Sequence, residues 1–309
     1  MKYWGQKPYN SLNYFLRNKF GEKVFKVSLD AGFSCPNRDG TISSGGCIFC
    51  SERGSGDFAG CRDFSITKQF EDIKAMMSKK WQSGKYIAYF QAYTNTYGDV
   101  ELLRRKYEEA VSQEGVVALA IATRPDCLSP EIIDLLKEFN ERLYVWIELG
   151  LQTSNDRVAK IINRGYKLEV FERALSDLRQ AGLDVVVHTI FGLPEENRDD
   201  MLNTIRYLSN KDIQGIKIHL LHLMENTPLK KLYELGRLSF MTMEEYVDVV
   251  CEAIKLLRED IVIHRLTGDA PRDLLIGPMW SLKKWEVLNA IDKKLIENQW
   301  YQGLDFCTK

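Results

Sequence analysis

The chain has 309 residues, 45% of them hydrophobic, and a formal net charge of −1. That length suits a β/α barrel with extensions and a substantial buried core. The balanced charge excludes a global nucleic-acid or membrane-surface field, and no apolar run approaches the roughly 20 residues of a membrane span.

The opening residues, MKYWGQKPYNSLNYFLRNKF, are basic and aromatic, not a charged head followed by an apolar signal core. The expectation is a cytoplasmic protein with no membrane association. Residues 1–23 read as an N-terminal extension. Their mixture of Lys and Arg with Tyr, Trp and Phe suits phosphate contacts and base stacking; it also suits an amphipathic lead-in to the first strand.

From residue 24 onward a strand-like run, a turn and an amphipathic helix recur. Strands are predicted at 24–29, 85–93, 115–123, 142–152, 183–191 and 215–223, with a short further strand at 261–269. The six longer runs are rich in Val, Ile and Tyr, as parallel strands covered on both faces should be. Helices are predicted at 65–82, 99–113, 129–140, 168–182, 199–210, 242–259 and 280–299. Ser129 is placed to cap the third of these, with Pro130 at its first position. Gly182 ends the fourth, and Thr242 with Glu245 has capping-box spacing. Six β/α units in series predict a parallel α/β fold over 24–240, followed by a C-terminal helical extension over 241–309. Periodicity fits both a partial barrel and an open doubly wound sheet. In each, the functional edge lies at the C-terminal ends of the strands.

Four of the seven cysteines fall between Cys35 and Cys61. In a reducing compartment clustered thiols point to metal or catalysis rather than disulfides. Cys127, Cys251 and Cys307 are scattered and read as small buried hydrophobes. The segment CPNRDGTISSGGCIFC, Cys35 to Cys50, spaces three thiols as C-x11-C-x2-C directly after the first strand. Gly45 and Gly46 permit backbone angles closed to other residues and let amides approach sulfur. Three thiolates fit an iron–sulfur cluster with one iron left open. The alternative is a zinc site completed by Cys61.

A three-cysteine loop after strand one of a β/α chain resembles the radical S-adenosylmethionine (SAM) superfamily. The superfamily's common spacing is C-x3-C-x2-C. The longer first gap resembles the subgroup that includes the radical SAM domain of the Elongator catalytic subunit, which modifies wobble uridines in tRNA. Further segments resemble that subgroup in order: ATRPD (122–126), IELGLQTSND (147–156), NRGY (163–166), HTIFGLPEE (188–196) and GIKIHLLHLMENTPL (215–229). The likeness covers about residues 20–240 and does not extend to the subgroup's acetyltransferase domain.

The resemblance implies a partial (β/α)6 barrel with N- and C-terminal helical extensions, a 4Fe–4S cluster and SAM. It makes Cys35, Cys47 and Cys50 the cluster ligands. It sets Gln91 near the SAM amino group, Thr123 and Arg124 near the ribose, and Gln152 and Arg164 near ribose and carboxylate, and it counts Glu148 with them among the cofactor-binding residues. Glu148, a carboxylate in an apolar strand, needs a partner, because a bare buried charge is costly. Lys217 and His219 fall on one face of the sixth strand and His222 on the other. Lys217, His188 and His219 are the residues expected to face substrate. Implied partners are tRNA and a reducing protein such as flavodoxin or ferredoxin. The implied reaction is hydrogen abstraction from a wobble-uridine C5 substituent, for example in trimming carboxymethylaminomethyl to aminomethyl. Two other readings stand beside it. One is radical SAM chemistry on a small molecule such as a tetrapyrrole, since the oxygen-independent coproporphyrinogen oxidases have similar GVQ and GLP motifs. The other is a zinc-stabilised RNA-binding protein without catalysis.

Overall fold

The computed structural model describes residues 1–79 and 84–307. The elements run α1 (Leu12–Phe20), β1 (Val24–Leu29), α2 (Ile66–Ser78), β2 (Lys85–Phe90), α3 (Val100–Val111), β3 (Val116–Thr123), α4 (Pro130–Asn140) and β4 (Tyr144–Gln152). They continue with α5 (Asp156–Ile161), α6 (Leu168–Gln180), β5 (Asp184–Phe191), α7 (Arg198–Ser209), β6 (Gly215–Leu220), β7 (Leu223–Met224), α8 (Leu229–Glu234), α9 (Met243–Leu256), β8 (Val262–Arg265), β9 (Leu275–Gly277) and α10 (Lys284–Glu297).

Local chemistry sets the helix ends. Asp99 and Ser129 accept from the backbone N–H three residues on, and Pro130 occupies the first position of α4. Thr242 and Glu245 form a reciprocal capping box on α9. The helix predicted over 65–82 is seen as far as Ser78. Its last predicted residues, Lys80, Trp81 and Gln82, lie outside the described residues.

Seven strands form one parallel sheet in the order β1-β2-β3-β4-β5-β6-β8. The seventh is the short strand read at 261–269, and it pairs with β6. A sheet built in chain order curls when helices cover only its outer face. Strand parity records that curl. On β4, Val145, Ile147, Leu149 and Leu151 point outward into the main core with the helices, while Trp146 and Glu148 point inward. On β6 the outward set is Ile216, Ile218 and Leu220, and the inward set is Lys217 and His219. β3 turns Ala118, Ala120 and Ala122 inward, and these small residues leave room inside the curl.

The N-terminal extension closes the open side. Ile263 N on the edge strand β8 donates to Asn10 O at 2.7 Å, and Ser11 bridges to Ile263. Helix α1 packs on both edge strands, β1 and β8. Leu16 enters a second core with Ile87, Tyr89, Ala118, Ala120 and Trp146, and Phe15 and Phe20 pack against it. These side chains plug one end of the half-barrel, and the loops at the strands' C-terminal ends surround the other. Among the described residues no helix is long and apolar enough to cross a membrane.

Candidate active site

Cys35, Cys47 and Cys50 lie on the loop leaving β1 and line a single cavity of about 340 Å³. All three are free and partly buried. The loop is wired to the NRGY segment. Asn163 Nδ2 donates to Gly46 O at 2.7 Å, Asn37 Nδ2 donates to Asn163 O at 2.7 Å, and Ile48 N donates to Ile162 O at 3.1 Å. Asn37 Nδ2 also lies 3.6 Å from Cys47 Sγ. Gly46 sits at φ +71°, and a Cβ there would fall 2.9 Å from the Arg38 side chain. The glycine therefore lets the chain turn tightly into the C-x2-C pair. A hydrogen bond from the Cys50 thiol lowers the Cys47 pKa to about 7; the charges of Arg124 and Arg164 act in the same direction, against burial.

Gln91, Thr123, Arg124, Gln152 and Arg164 line the same cavity. Gln91 Nε2 donates to Ser55 O at 2.8 Å, which ties the 54–60 loop over the cavity. Thr123 Oγ1 is 2.5 Å from Thr96 Oγ1. Gln152 follows a register shift in β4 and takes φ +64°. Ser55 and Tyr93, also lining residues, share that left-handed geometry. Non-glycine residues held this way are uncommon and gather at functional sites. The two arginines are committed to their own chain. Arg124 forms a two-point pair with Asp126 and donates to Arg164 O. Arg164 is fully buried and donates to Leu151 O, Thr153 O, Tyr166 O and Asp156. That bonding fixes the end of β4 and the NRGY turn.

At the inner end of the cavity Glu148 is completely buried and collects four donors. They are Lys217 Nζ, Lys26 Nζ (3.4 Å), Trp146 Nε1 (3.0 Å) and His188 Nε2 (2.8 Å). Burial alone would raise the Glu148 pKa, but the charges of Lys217 and Lys26 and the His188 hydrogen bond outweigh it and hold it well below the carboxylate range. Burial lowers Lys217 far below an ordinary lysine, and Glu148 opposes the shift. The two shifts pull against each other across one contact. The geometry decides for an ionised carboxylate, because every polar neighbour of Glu148 is a donor. His219 faces the same space, with its ring 5.1 Å from that of His188.

All twelve residues singled out from the sequence thus meet at one cavity. His222 joins them, contrary to strand alternation. β6 ends at Leu220, so the two-residue period stops before His222. Sequence reasoning missed Lys26, Tyr89 and Arg265. Lys26 stands alone in the apolar run VFKVSL on the inward parity, a signal of the kind that singled out Lys217. Cys61, which the zinc reading requires, is exposed and outside the lining. Among the described residues no three His, Cys, Asp or Glu side chains converge on a single-ion site.

Residues 39–208 match the family model of the Radical SAM superfamily, and residues 213–297 match the Radical_SAM C-terminal domain. The chain belongs to the radical SAM superfamily. YtqA of Bacillus subtilis is 52% identical over 97% of this chain and 94% of its own length. The tRNA uridine(34) acetyltransferase of Methanocaldococcus infernus is 28% identical over 52% of this chain and 30% of its own. The solved structure of the archaeal M. infernus Elp3 aligns with TM-score 0.69 at 17% identity, over 90% of this chain and 64% of that one. This likeness in structure establishes the shared fold.

The protein is therefore a radical SAM enzyme, and the family implies SAM and an iron–sulfur cluster. The residues present fit both groups. A cluster held by three cysteines asks each thiolate for a different iron, so the thiols need not converge on one point. The partly buried Cys35, Cys47 and Cys50 supply that donor set, and the polar strand ends beside them leave space for a nucleoside.

Burial also keeps the histidines neutral. His188 and His222 are lowered to about 4, and His219 and His264 lie well below 6.5. For His188 the Lys217 charge adds to the burial effect. An unfolded histidine takes its proton near 6.5. Between pH 6.5 and 4 the unfolded chain therefore binds more protons, and stability present above 6.5 is lost as pH falls. His188 and His222 should each remove about 1.4 kcal/mol by pH 5.5. Urea denaturation between pH 6.5 and 5 should show stability falling as pH falls, less steeply in His222→Gln. A stability independent of pH down to 5.5 would rule this account out.

Proposed function

We propose that this radical SAM enzyme modifies tRNA, taking a hydrogen atom from the C5 substituent of a wobble uridine. The specific reaction is conversion of carboxymethylaminomethyl to aminomethyl: loss of a hydrogen atom from the carboxymethyl carbon and of one further electron to a one-electron acceptor leaves an imine, which water cleaves to the aminomethyl group and glyoxylate. The observation that carries the reading is the likeness to a relative named as a tRNA uridine(34) acetyltransferase. The cavity supports it, with thiols at its mouth and a cationic, histidine-rich inner end.

Cys35, Cys47 and Cys50 would hold a 4Fe–4S cluster, and Gln91, Thr123 and Gln152 would line the SAM nucleoside. When bound, these cofactors supply a one-electron cleavage of SAM that produces a hydrogen-abstracting 5′-deoxyadenosyl radical, with the electron from a small carrier such as flavodoxin or ferredoxin. The chain's own residues do the remaining work. Asn37 and the Asn163 side chain fix the cysteine loop, while Arg124 and Arg164 brace the ends of β3 and β4. The 54–60 loop, tied to Gln91, covers the cavity. Lys217, His188 and His219 face the substrate, with Glu148 holding Lys217 and His188 in place.

A deletion strain tests the reading. Its tRNA should lose wobble nucleosides derived from the aminomethyl form and accumulate the carboxymethylaminomethyl precursor. An unchanged nucleoside profile would reject it.

A further inference from the structure

The inner end of the cavity brings three basic side chains, Lys26, Lys217 and Arg265, to two carboxylates, Glu148 and Asp269. Lys26 from β1 and Lys217 from β6 share Glu148 as their one carboxylate, and Lys217 Nζ also donates to Tyr89 Oη at 2.9 Å. Glu148 already accepts from four donors, which fills a carboxylate's capacity. The sheet register sets Arg265 of β8 opposite Lys217, adding a third cation. Its partner is Asp269, 3.4 Å away, which Lys284 also engages. His219 Nε2 is buried there with no hydrogen-bond partner. The Tyr89 ring faces both lysines, at 4.5 and 4.8 Å, and offsets only part of the charge. An excess of basic groups at a largely buried site, beside an unpartnered polar atom, is costly unless a ligand completes it.

We propose that Lys217 and Arg265, with His219 Nε2 as a further polar contact, form an anion subsite for the carboxylate of the substrate's side chain. Lys26 competes with Lys217 for Glu148 and so leaves Lys217 incompletely neutralised. The subsite rests on the reading above that the substituent enters this cavity. It deepens that reading by naming the group recognised: a small carboxylate at the tip of an aminomethyl arm. A trimmed product without that carboxylate would lose the contact and leave, which gives the site a means of discriminating precursor from product.

Two probe pairs test the subsite in the cluster-containing enzyme saturated with SAM. One is 5-carboxymethylaminomethyluridine and its amide. The other is N-benzylglycine and N-benzylglycinamide, which carry the charged arm without a nucleoside. Calorimetric titration should give about tenfold tighter binding, about 1.4 kcal/mol, for the carboxylate of each pair. Arg265→Gln should abolish the preference and Arg265→Lys should retain much of it. Equal affinity of carboxylate and amide in both pairs overturns the subsite, as does failure of both carboxylates to bind at millimolar concentration. A preference seen only without SAM also overturns it, because the charge then serves the SAM carboxylate. A preference confined to the benzyl pair supports the subsite and counts against the uridine substrate. An altered tRNA profile in the deletion strain together with equal affinities removes the subsite and leaves the tRNA reading standing.

Discussion

Single replacement of Cys35, Cys47 or Cys50 by Ala should strip iron and sulfide from the anaerobically purified protein. It should also drop 5′-deoxyadenosine formation to the no-enzyme background. The three thiols share one loop and one cavity, and the hydrogen bonds of Asn37, Asn163 and Ile48 hold that loop from outside the thiols themselves. The loop should therefore stay in place when one sulfur is removed, and the loss should be specific to the cluster. Cys61→Ala is the contrasting case. Cys61 is exposed and outside the cavity, so iron, sulfide and SAM cleavage should all persist. Stoichiometric zinc that disappears in Cys61→Ala would contradict the assignment and restore the four-thiolate reading. Metal and sulfide analysis beside a 5′-deoxyadenosine assay separates the outcomes.

Glu148→Gln should be the most destabilising single change at the inner end of the cavity, by about 3–5 kcal/mol. The carboxylate is fully buried, and Lys217 beside it is only 4% exposed on its side chain. An amide keeps the shape but offers one acceptor oxygen and a donor group that faces other donors. Two lysines then share no negative partner, and at least one must give up its proton. Urea denaturation reads the loss directly. The double variant Glu148→Leu with Lys217→Met should recover much of it, since removing both members of a buried pair costs far less than removing one. A loss below about 1 kcal/mol for Glu148→Gln would mean that the cluster is hydrated and weakly coupled.

The parallel α/β repeat was legible because its signals are local: apolar runs, caps at Ser129 and Thr242, and the Gly182 stop. The cysteine loop was legible because spacing and following motifs are linear features. What escaped depends on the curl of the sheet. Lys26, Tyr89 and Arg265 come from β1, β2 and β8, far apart in sequence, and they meet Glu148 and Lys217 only once the sheet has closed. The same holds for α1. Its aromatics suited RNA contact as well as packing, and only the seam between β1 and β8 gives Leu16, Phe15 and Phe20 an interior to enter. Arg164 shows a further limit. A residue type apt for a carboxylate ligand has four of its five N–H groups engaged here by carbonyls of its own chain and by Asp156, and no sequence pattern reports how many donors remain.

The most direct test is isotope transfer. An anticodon stem-loop carrying carboxymethylaminomethyluridine, deuterated at the carboxymethyl carbon, is incubated with the reduced, cluster-containing enzyme and SAM. The proposed function predicts 5′-deoxyadenosine bearing one deuterium for each RNA converted to the aminomethyl form. Unlabelled 5′-deoxyadenosine, with the RNA intact, would leave a radical SAM enzyme acting on some other substrate and would contradict the reading proposed for this cavity.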